Sequence, residues 1–163
     1  MSWWGGRVRQ FRRHVTGRVS VAECAELTTW LTPEQLALFD SMHPADQRHG
    51  LDVTDQLRSA GRTDPDLILA GLFHDAGKGR SVGLWHRVTW SLGEHYGSRV
   101  LSLTRWIPGF SRAFDRLRDH ADRSAVMALE AGCSEVTADL IRHQSEPVDP
   151  VAGEALRLAD EAS

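Results

Sequence analysis

The dipeptide His74-Asp75 joins an imidazole to a carboxylate at the end of an apolar stretch. The segment Leu72–Gly79 reads LFHDAGKG, so a Gly-containing turn follows the dipeptide, and Lys78 in that turn is the only lysine in the sequence. Neutral imidazole and carboxylate are ligands that divalent transition metals prefer. The compact ammonium of a lysine suits a phosphate oxygen or a neighbouring carboxylate. This segment therefore predicts a polar site at the end of a helix.

More imidazoles and acids lie on or beside apolar helical faces elsewhere in the chain. His49, for example, shares a helical stripe with Val53, Leu57 and Ala60, so we expect it to face inward. The other residues of this kind are His120, His143 and Asp160. Burying such groups without partners would cost several kcal/mol for each. A bound divalent metal is an economical way to satisfy them together.

The elements that must position these residues are predicted to be helices from Ser20 onward. Apolar residues recur at spacings of three and four, and His143 follows Val136 and Leu140 on one such face. Three segments carry helix-start signals, namely Thr32-Pro33-Glu34-Gln35, Asp64-Pro65 and Ser134-Glu135. Gly61 and Gly132 stand where helices are expected to end. With no alternating strand pattern, we predict an all-α domain of about six to eight helices.

Length and composition fit one globular domain. The chain has 163 residues, 41% hydrophobic and 25% charged, which favours a folded domain over residues 20–163. The formal net charge of -3 gives no field that would favour duplex nucleic acid. No apolar run approaches the ~20 residues of a membrane span, and no signal-peptide pattern follows Met1. The two cysteines show no CxxC spacing and fit a reducing compartment, so we expect a cytoplasmic protein.

Residues 1–19 form a separate basic segment. It carries five arginines among aromatic residues that include Trp3, Trp4 and Phe11. We expect a loosely docked first helix with a solvated arginine face. Contact with an acidic membrane surface or with a partner protein is the alternative.

The ordered set His49, His74-Asp75 and Asp160, with HDAGKG as the turn, resembles the HD-domain superfamily of metal-dependent phosphohydrolases. The resemblance covers residues 45–161 and implies the helical bundle of an HD domain. His120 and His143 resemble the additional ligands of the binuclear branch, which includes the HD-GYP phosphodiesterases. Gln144 stands where HD-GYP proteins carry a second His, and no GYP element follows.

The resemblance implies a set of metal ligands. One ion would be held by His49, His74, Asp75 and Asp160. A second would be held by His120 and His143, with Asp75 bridging the two ions. Such His-rich sites favour iron or manganese, with cobalt, nickel and zinc as alternatives.

The implied activity is hydrolysis of a phosphate ester, either a nucleotide or another small phosphomonoester or diester, by a metal-activated hydroxide. Asp75 and Lys78 would be the catalytic residues, with Lys78 offsetting charge on the phosphate oxygens. The substrate contacts expected in and after the turn are Lys78, Arg80, His86 and Arg87. An amphipathic helix is the alternative interpretation of the stretch after the turn.

Two other functions remain open at this stage. Four histidines and two aspartates in this order are also what the HD-fold mixed-valent di-iron oxygenases use, as in the myo-inositol oxygenase type. A non-catalytic HD domain that serves as a sensor or binding module is the third interpretation. Oxygen consumption and metal retention, respectively, distinguish these from phosphate release.

Overall fold

A computed structural model describes residues 18–79 and 119–163, and Arg80, His86 and Arg87 lie outside this part. The described residues contain seven α-helices and no strand, which agrees with the predicted all-α class. The helices are α1 (Val21–Leu27), α2 (Pro33–Ser41), α3 (Pro44–Ser59), α4 (Pro65–Phe73), α5 (His120–Glu130), α6 (Glu135–Arg142) and α7 (Ala152–Ala162). A single 3₁₀ turn, Ala76–Lys78, follows α4.

Side chains cap the helices where the sequence predicts that they begin. The hydroxyl of Thr32 accepts a hydrogen bond from the Gln35 N–H at 3.2 Å, and the Gln35 side chain accepts one from the Thr32 N–H at 3.1 Å. The carboxylate of Asp64 and the hydroxyl of Ser134 cap α4 and α6 in the same position. These caps satisfy N–H groups that have no partner inside the helix. The three predicted helix starts are therefore confirmed.

Two glycines end helices in the left-handed conformation. Gly61 has φ +76° after α3, and Gly132 has φ +79° after α5. A side chain would strain the backbone at these angles, which is why glycine is preferred there. Both predicted helix ends are confirmed.

Helix α4 lies at the centre of the described part, against α3, α6 and α7. Its sequence is almost entirely apolar, and Leu72 and Phe73 at its end are fully buried. A helix that is apolar on all sides has to be covered on all sides. The chain therefore carries His74 and Asp75, which follow Phe73, directly into the interior.

Two glycines allow backbone segments to meet around the end of α4. A Cβ on Gly50 in α3 would lie 2.4 Å from the carbonyl oxygen of Leu72. A Cβ on Gly77 would lie 2.4 Å from the carbonyl oxygen of His120, and the Gly77 N–H donates to Ser124 Oγ at 2.8 Å. These close approaches bring α3 and the start of α5 against the His74-Asp75 segment.

In residues 18–79 and 119–163, we find no helix that combines the length and the apolar character needed to cross a membrane.

Candidate metal centre

His74 presents an unpartnered nitrogen inside the protein. Its side chain is 2% exposed, and its Nδ1 lies 2.9 Å from the Gly71 carbonyl oxygen. Because a carbonyl only accepts, Nδ1 must carry a hydrogen and donate it. In the neutral ring, Nε2 then carries the lone pair. Nε2 is buried and has no hydrogen-bond partner within the described part of the chain.

Two carboxylates face this nitrogen. Asp160 Oδ1 and Asp75 Oδ2 each lie 3.6 Å from His74 Nε2. These distances are too long for hydrogen bonds. A lone pair and two carboxylate oxygens that point at one another require a cation between them, either a proton or a metal ion. Imidazole nitrogen and carboxylate oxygen are also donors that divalent transition metals prefer.

His49 lies beside His74, Asp75 and Asp160, and these four residues are called the close group. Its Nε2 lies 2.7 Å from Asp160 Oδ1, and its ring centre lies 5.1 Å from that of His74. The candidate ligand atoms of His49, His74 and Asp160 all lie within 4.8 Å of one another. Two imidazoles and a carboxylate are a donor set typical of first-row transition metals. The Asp160 side chain is 43% exposed, so the group opens to solvent on the side of α7.

Asp75 extends the group toward Lys78 and α5. The 3₁₀ turn carries Lys78 back over Asp75, so that Nζ lies 2.5 Å from Asp75 Oδ2. His120 Nε2 lies 3.7 Å from the other carboxylate oxygen, Oδ1. Asp75 is 3% exposed and therefore has its negative charge inside the protein, between a lysine and two imidazoles.

The charges in the group shift its pKa values. Burial alone would lower the pKa of His74, but the negative charges of Asp75 and Asp160 raise it to about 9. Burial opposes ionisation of Asp75, yet the charges of Lys78 and His74 hold the pKa of this carboxyl well below its usual range. The pKa of Asp160 is likewise lowered, against its burial, by His49 and His74. Both carboxylates are therefore ionised at neutral pH.

His143 lies outside this close group. Its side chain is 39% exposed, and its Nδ1 lies 3.0 Å from the carbonyl oxygen of Asp139. The sequence predicts that Val136 and His143 share a buried face of α6. This prediction is wrong for Val136, which is 58% exposed. Thr137 is buried in its place, and its Oγ1 lies 2.8 Å from Asp66 Oδ1. The assignment of His143 to a second ion stays a prediction.

Gln144 contacts the site, although the sequence marked it only as a departure from the HD-GYP pattern. It is 8% exposed, and its Nε2 donates to the carbonyl oxygen of His74 at 3.2 Å. The signal that could have revealed this contact is the stripe Thr137, Ile141 and Gln144, with spacings of four and three. That stripe is buried along its whole length.

The predicted substrate contacts divide into two sets. Lys78 lies in the described turn, and its side chain is 20% exposed beside Asp75. Arg80, His86 and Arg87 lie outside the described residues, and their contact with a substrate stays a prediction. The basic residues that precede Arg18 also lie outside the described residues, and their contact with a membrane surface or a partner stays a prediction.

Comparison of the chain with protein-family models, with curated proteins and with solved structures found no match. The functional proposal therefore depends on the chain's own residues.

Proposed function

We propose that this protein is a metal-dependent phosphohydrolase of the HD-domain type. The observation that carries the proposal is the buried Nε2 of His74, which has no hydrogen-bond partner and faces oxygens of Asp75 and Asp160 at 3.6 Å. A cation in that position would offset both the unpaired nitrogen and the buried negative charge.

His49, His74, Asp75 and Asp160 would hold the ion. His49 contributes its Nε2 from α3, and Asp160 contributes Oδ1 from the last turn of α7. His120 Nε2 lies 3.7 Å from Asp75 Oδ1, and His120 would contribute to a second ion on the α5 side. The mixed nitrogen and oxygen donors favour iron or manganese, with cobalt, nickel and zinc as alternatives.

His74 and Lys78 would have different roles in the proposed reaction. A divalent ion, when bound, supplies the Lewis acidity that brings the pKa of water close to neutrality. The Gly71 carbonyl fixes the His74 ring by accepting from Nδ1, so Nε2 stays aimed at the site. Lys78 lies beside Asp75, and its side chain is partly exposed. From that position it would bind a phosphate oxygen and offset the charge that develops there.

One geometric feature supports hydrolysis over an oxygenase reaction. The di-iron oxygenase interpretation uses all six predicted ligands, including His143. The partly exposed position of His143 and its contact with the Asp139 carbonyl favour a role at the end of α6. The group of His49, His74, Asp75 and Asp160 is sufficient for Lewis-acid hydrolysis without it.

The test is metal analysis followed by a substrate panel. The purified protein is reconstituted with Mn²⁺, Fe²⁺ or Co²⁺, its bound metal is quantified, and phosphate release is measured with nucleotides, phosphomonoesters and phosphodiesters. We expect Asp75→Ala to abolish both metal loading and turnover. Asp122→Ala removes an exposed carboxylate of α5 and is the matched control, which should keep both.

Each competing function predicts a different result. Oxygen consumption by the iron-loaded protein with candidate alcohols, without phosphate release, would identify an oxygenase. Failure to retain any metal after reconstitution would favour a non-catalytic domain. Full activity of the Asp75→Ala variant would eliminate the proposed mechanism.

A further inference from the structure

The peptide that joins His74 to Asp75 lacks a helical partner for its carbonyl. Helix α4 ends at Phe73, and the last carbonyls of a helix have no N–H group inside it to accept from. In the turn that follows, the Lys78 N–H donates to Asp75 O at 3.1 Å, and the Gly79 N–H donates to Ala76 O at 3.3 Å. These two bonds serve the neighbouring carbonyls rather than that of His74.

Gln144 supplies a donor to this carbonyl from a distant part of the sequence. It follows the last turn of α6, 70 positions after His74, and its Nε2 donates to His74 O at 3.2 Å. Gln144 is 8% exposed and His74 is 1% exposed, so water does not readily replace this bond. A buried carbonyl that loses its donor is left unsatisfied, which is unfavourable.

The position of this bond gives it a specific effect on the site. The same peptide group carries the Cα atoms of His74 and Asp75, so its orientation sets how the imidazole and the carboxylate are directed. The ring of His74 is held independently by the Gly71 carbonyl at Nδ1. Gln144 thus fixes the backbone, and Gly71 fixes the ring.

We infer that Gln144 is a positioning residue for the proposed metal site, a role that rests on the proposed function. Its amide holds the His74-Asp75 peptide so that Nε2 of His74 and the Asp75 carboxylate converge on one cation. Partners that orient metal ligands in this way contribute 10–100-fold to metal affinity in other sites. In this role the amide acts on the site through its bond to the carbonyl of His74 and not as a ligand of the ion.

The experiment uses Co²⁺ alone as the probe, titrated into the metal-free protein and followed by visible absorption. Gln144→Met keeps the side chain's length and removes the donor. We expect its Co²⁺ affinity to fall about 10–100-fold and its cobalt spectrum to change, because the ligands no longer converge in the same way. Gln144→Asn keeps the amide but shortens the side chain, and it should show the same loss of Co²⁺ affinity and the same spectral change. It replaces Gln144→Met in the experiment if that variant does not fold.

Thr137→Val is the matched control for a merely structural effect. Thr137 is also buried on α6, and its hydroxyl lies 2.8 Å from Asp66 Oδ1 in α4, away from the site. The control should lower stability toward urea while leaving Co²⁺ affinity and spectrum unchanged. The inference is overturned if the Gln144 variants lose stability like Thr137→Val but bind Co²⁺ with wild-type affinity and spectrum.

The outcomes also separate this inference from the proposed function. If the wild-type protein binds Co²⁺ and the Gln144 variants bind it more weakly, the inference is supported. If the wild-type protein then hydrolyses no phosphate ester, the phosphohydrolase proposal is rejected while the inference stands. Wild-type protein that binds no Co²⁺ overturns both.

Discussion

His49 and Asp160 lie 111 positions apart in the sequence, yet His49 Nε2 is 2.7 Å from Asp160 Oδ1. This contact joins α3 to the last turn of α7. It also brings a carboxylate to within 3.6 Å of the unpartnered nitrogen of His74. The candidate centre therefore exists only when α3 and α7 are packed together. The proposed chemistry thus depends directly on the fold.

Asp160→Asn should weaken Mn²⁺ or Co²⁺ binding by at least about 100-fold. The substitution removes a negative charge from the close group and replaces the carboxylate beside His49 with a neutral amide. Isothermal titration calorimetry of the metal-free protein measures the effect. Glu161→Gln changes the next carboxylate, which is exposed and paired with Arg157, and should bind metal like the wild type. Equal affinities in the two variants would exclude Asp160 as a ligand.

Metal affinity should rise with pH up to about 9. In the metal-free protein the pKa of His74 is raised to about 9, so at pH 7 its Nε2 holds a proton that a metal ion must displace. We expect affinity to increase by about tenfold per pH unit through this range and one proton to be released for each ion bound. Titrations in buffers of different ionisation enthalpy count that proton. Affinity that is independent of pH between 6.5 and 8.5 would contradict this role of His74.

The stability of the metal-free protein should follow the opposite trend. A raised folded-state pKa contributes stability that is fully present below the unfolded value of about 6.5 and is lost as pH rises through about 9. The loss attributable to His74 is of the order of 3 kcal/mol. Urea unfolding in the presence of a chelator at pH 6, 7.5 and 9 measures it. His74→Gln should show a flatter dependence over the same interval.

Lys78→Met should destabilise the metal-free protein by about 3 kcal/mol, because it leaves the buried charge of Asp75 without the ammonium at 2.5 Å. Addition of Mn²⁺ should reduce the difference in stability between Lys78→Met and the wild type, since a bound cation replaces part of the lost positive charge. Urea unfolding with and without metal gives both values. Lys78→Arg keeps the positive charge, so its stability should lie between those of Lys78→Met and the wild type. A destabilisation that metal does not change would argue against a cation beside Asp75.

Gly77→Ala should cost about 1–3 kcal/mol of stability and should lower metal binding. A Cβ at position 77 would lie 2.4 Å from the backbone oxygen of His120, so α5 or the turn must move. Gly153→Ala is the control, because its nearest neighbour is a side-chain atom of Pro147 at 3.0 Å, which leaves only a small adjustment. Thermal unfolding and Co²⁺ titration of the two variants make the comparison.

Helix boundaries could be predicted from the sequence because their causes are local. Thr32, Asp64 and Ser134 cap their own helices within three residues, and Gly61 and Gly132 end helices through their own φ angles. No distant residue has to be known for these features. The convergence of His49 and His74 was also predictable in outline, since each adjoins buried apolar positions.

The face of α6 that turns inward could not be predicted from hydrophobicity. Val136 is more apolar than Thr137, yet Val136 is 58% exposed and Thr137 is fully buried. Thr137 and Ser134 both contact the carboxylate of Asp66, and this long-range bonding satisfies the buried hydroxyl. The rotation that follows places Gln144 against His74 and leaves His143 partly exposed, which no local pattern reveals.

The contact of Gly50 with the carbonyl of Leu72 has a consequence for ion selection. Because α3 and α4 meet there through backbone atoms, the backbones that carry His49 and His74 are held close together. A large, oxygen-preferring ion such as Ca²⁺ requires six to eight ligands at 2.3–2.6 Å, which two closely spaced imidazoles do not provide. We therefore expect the proposed site to favour transition-metal ions, which accept imidazole ligands, over Ca²⁺.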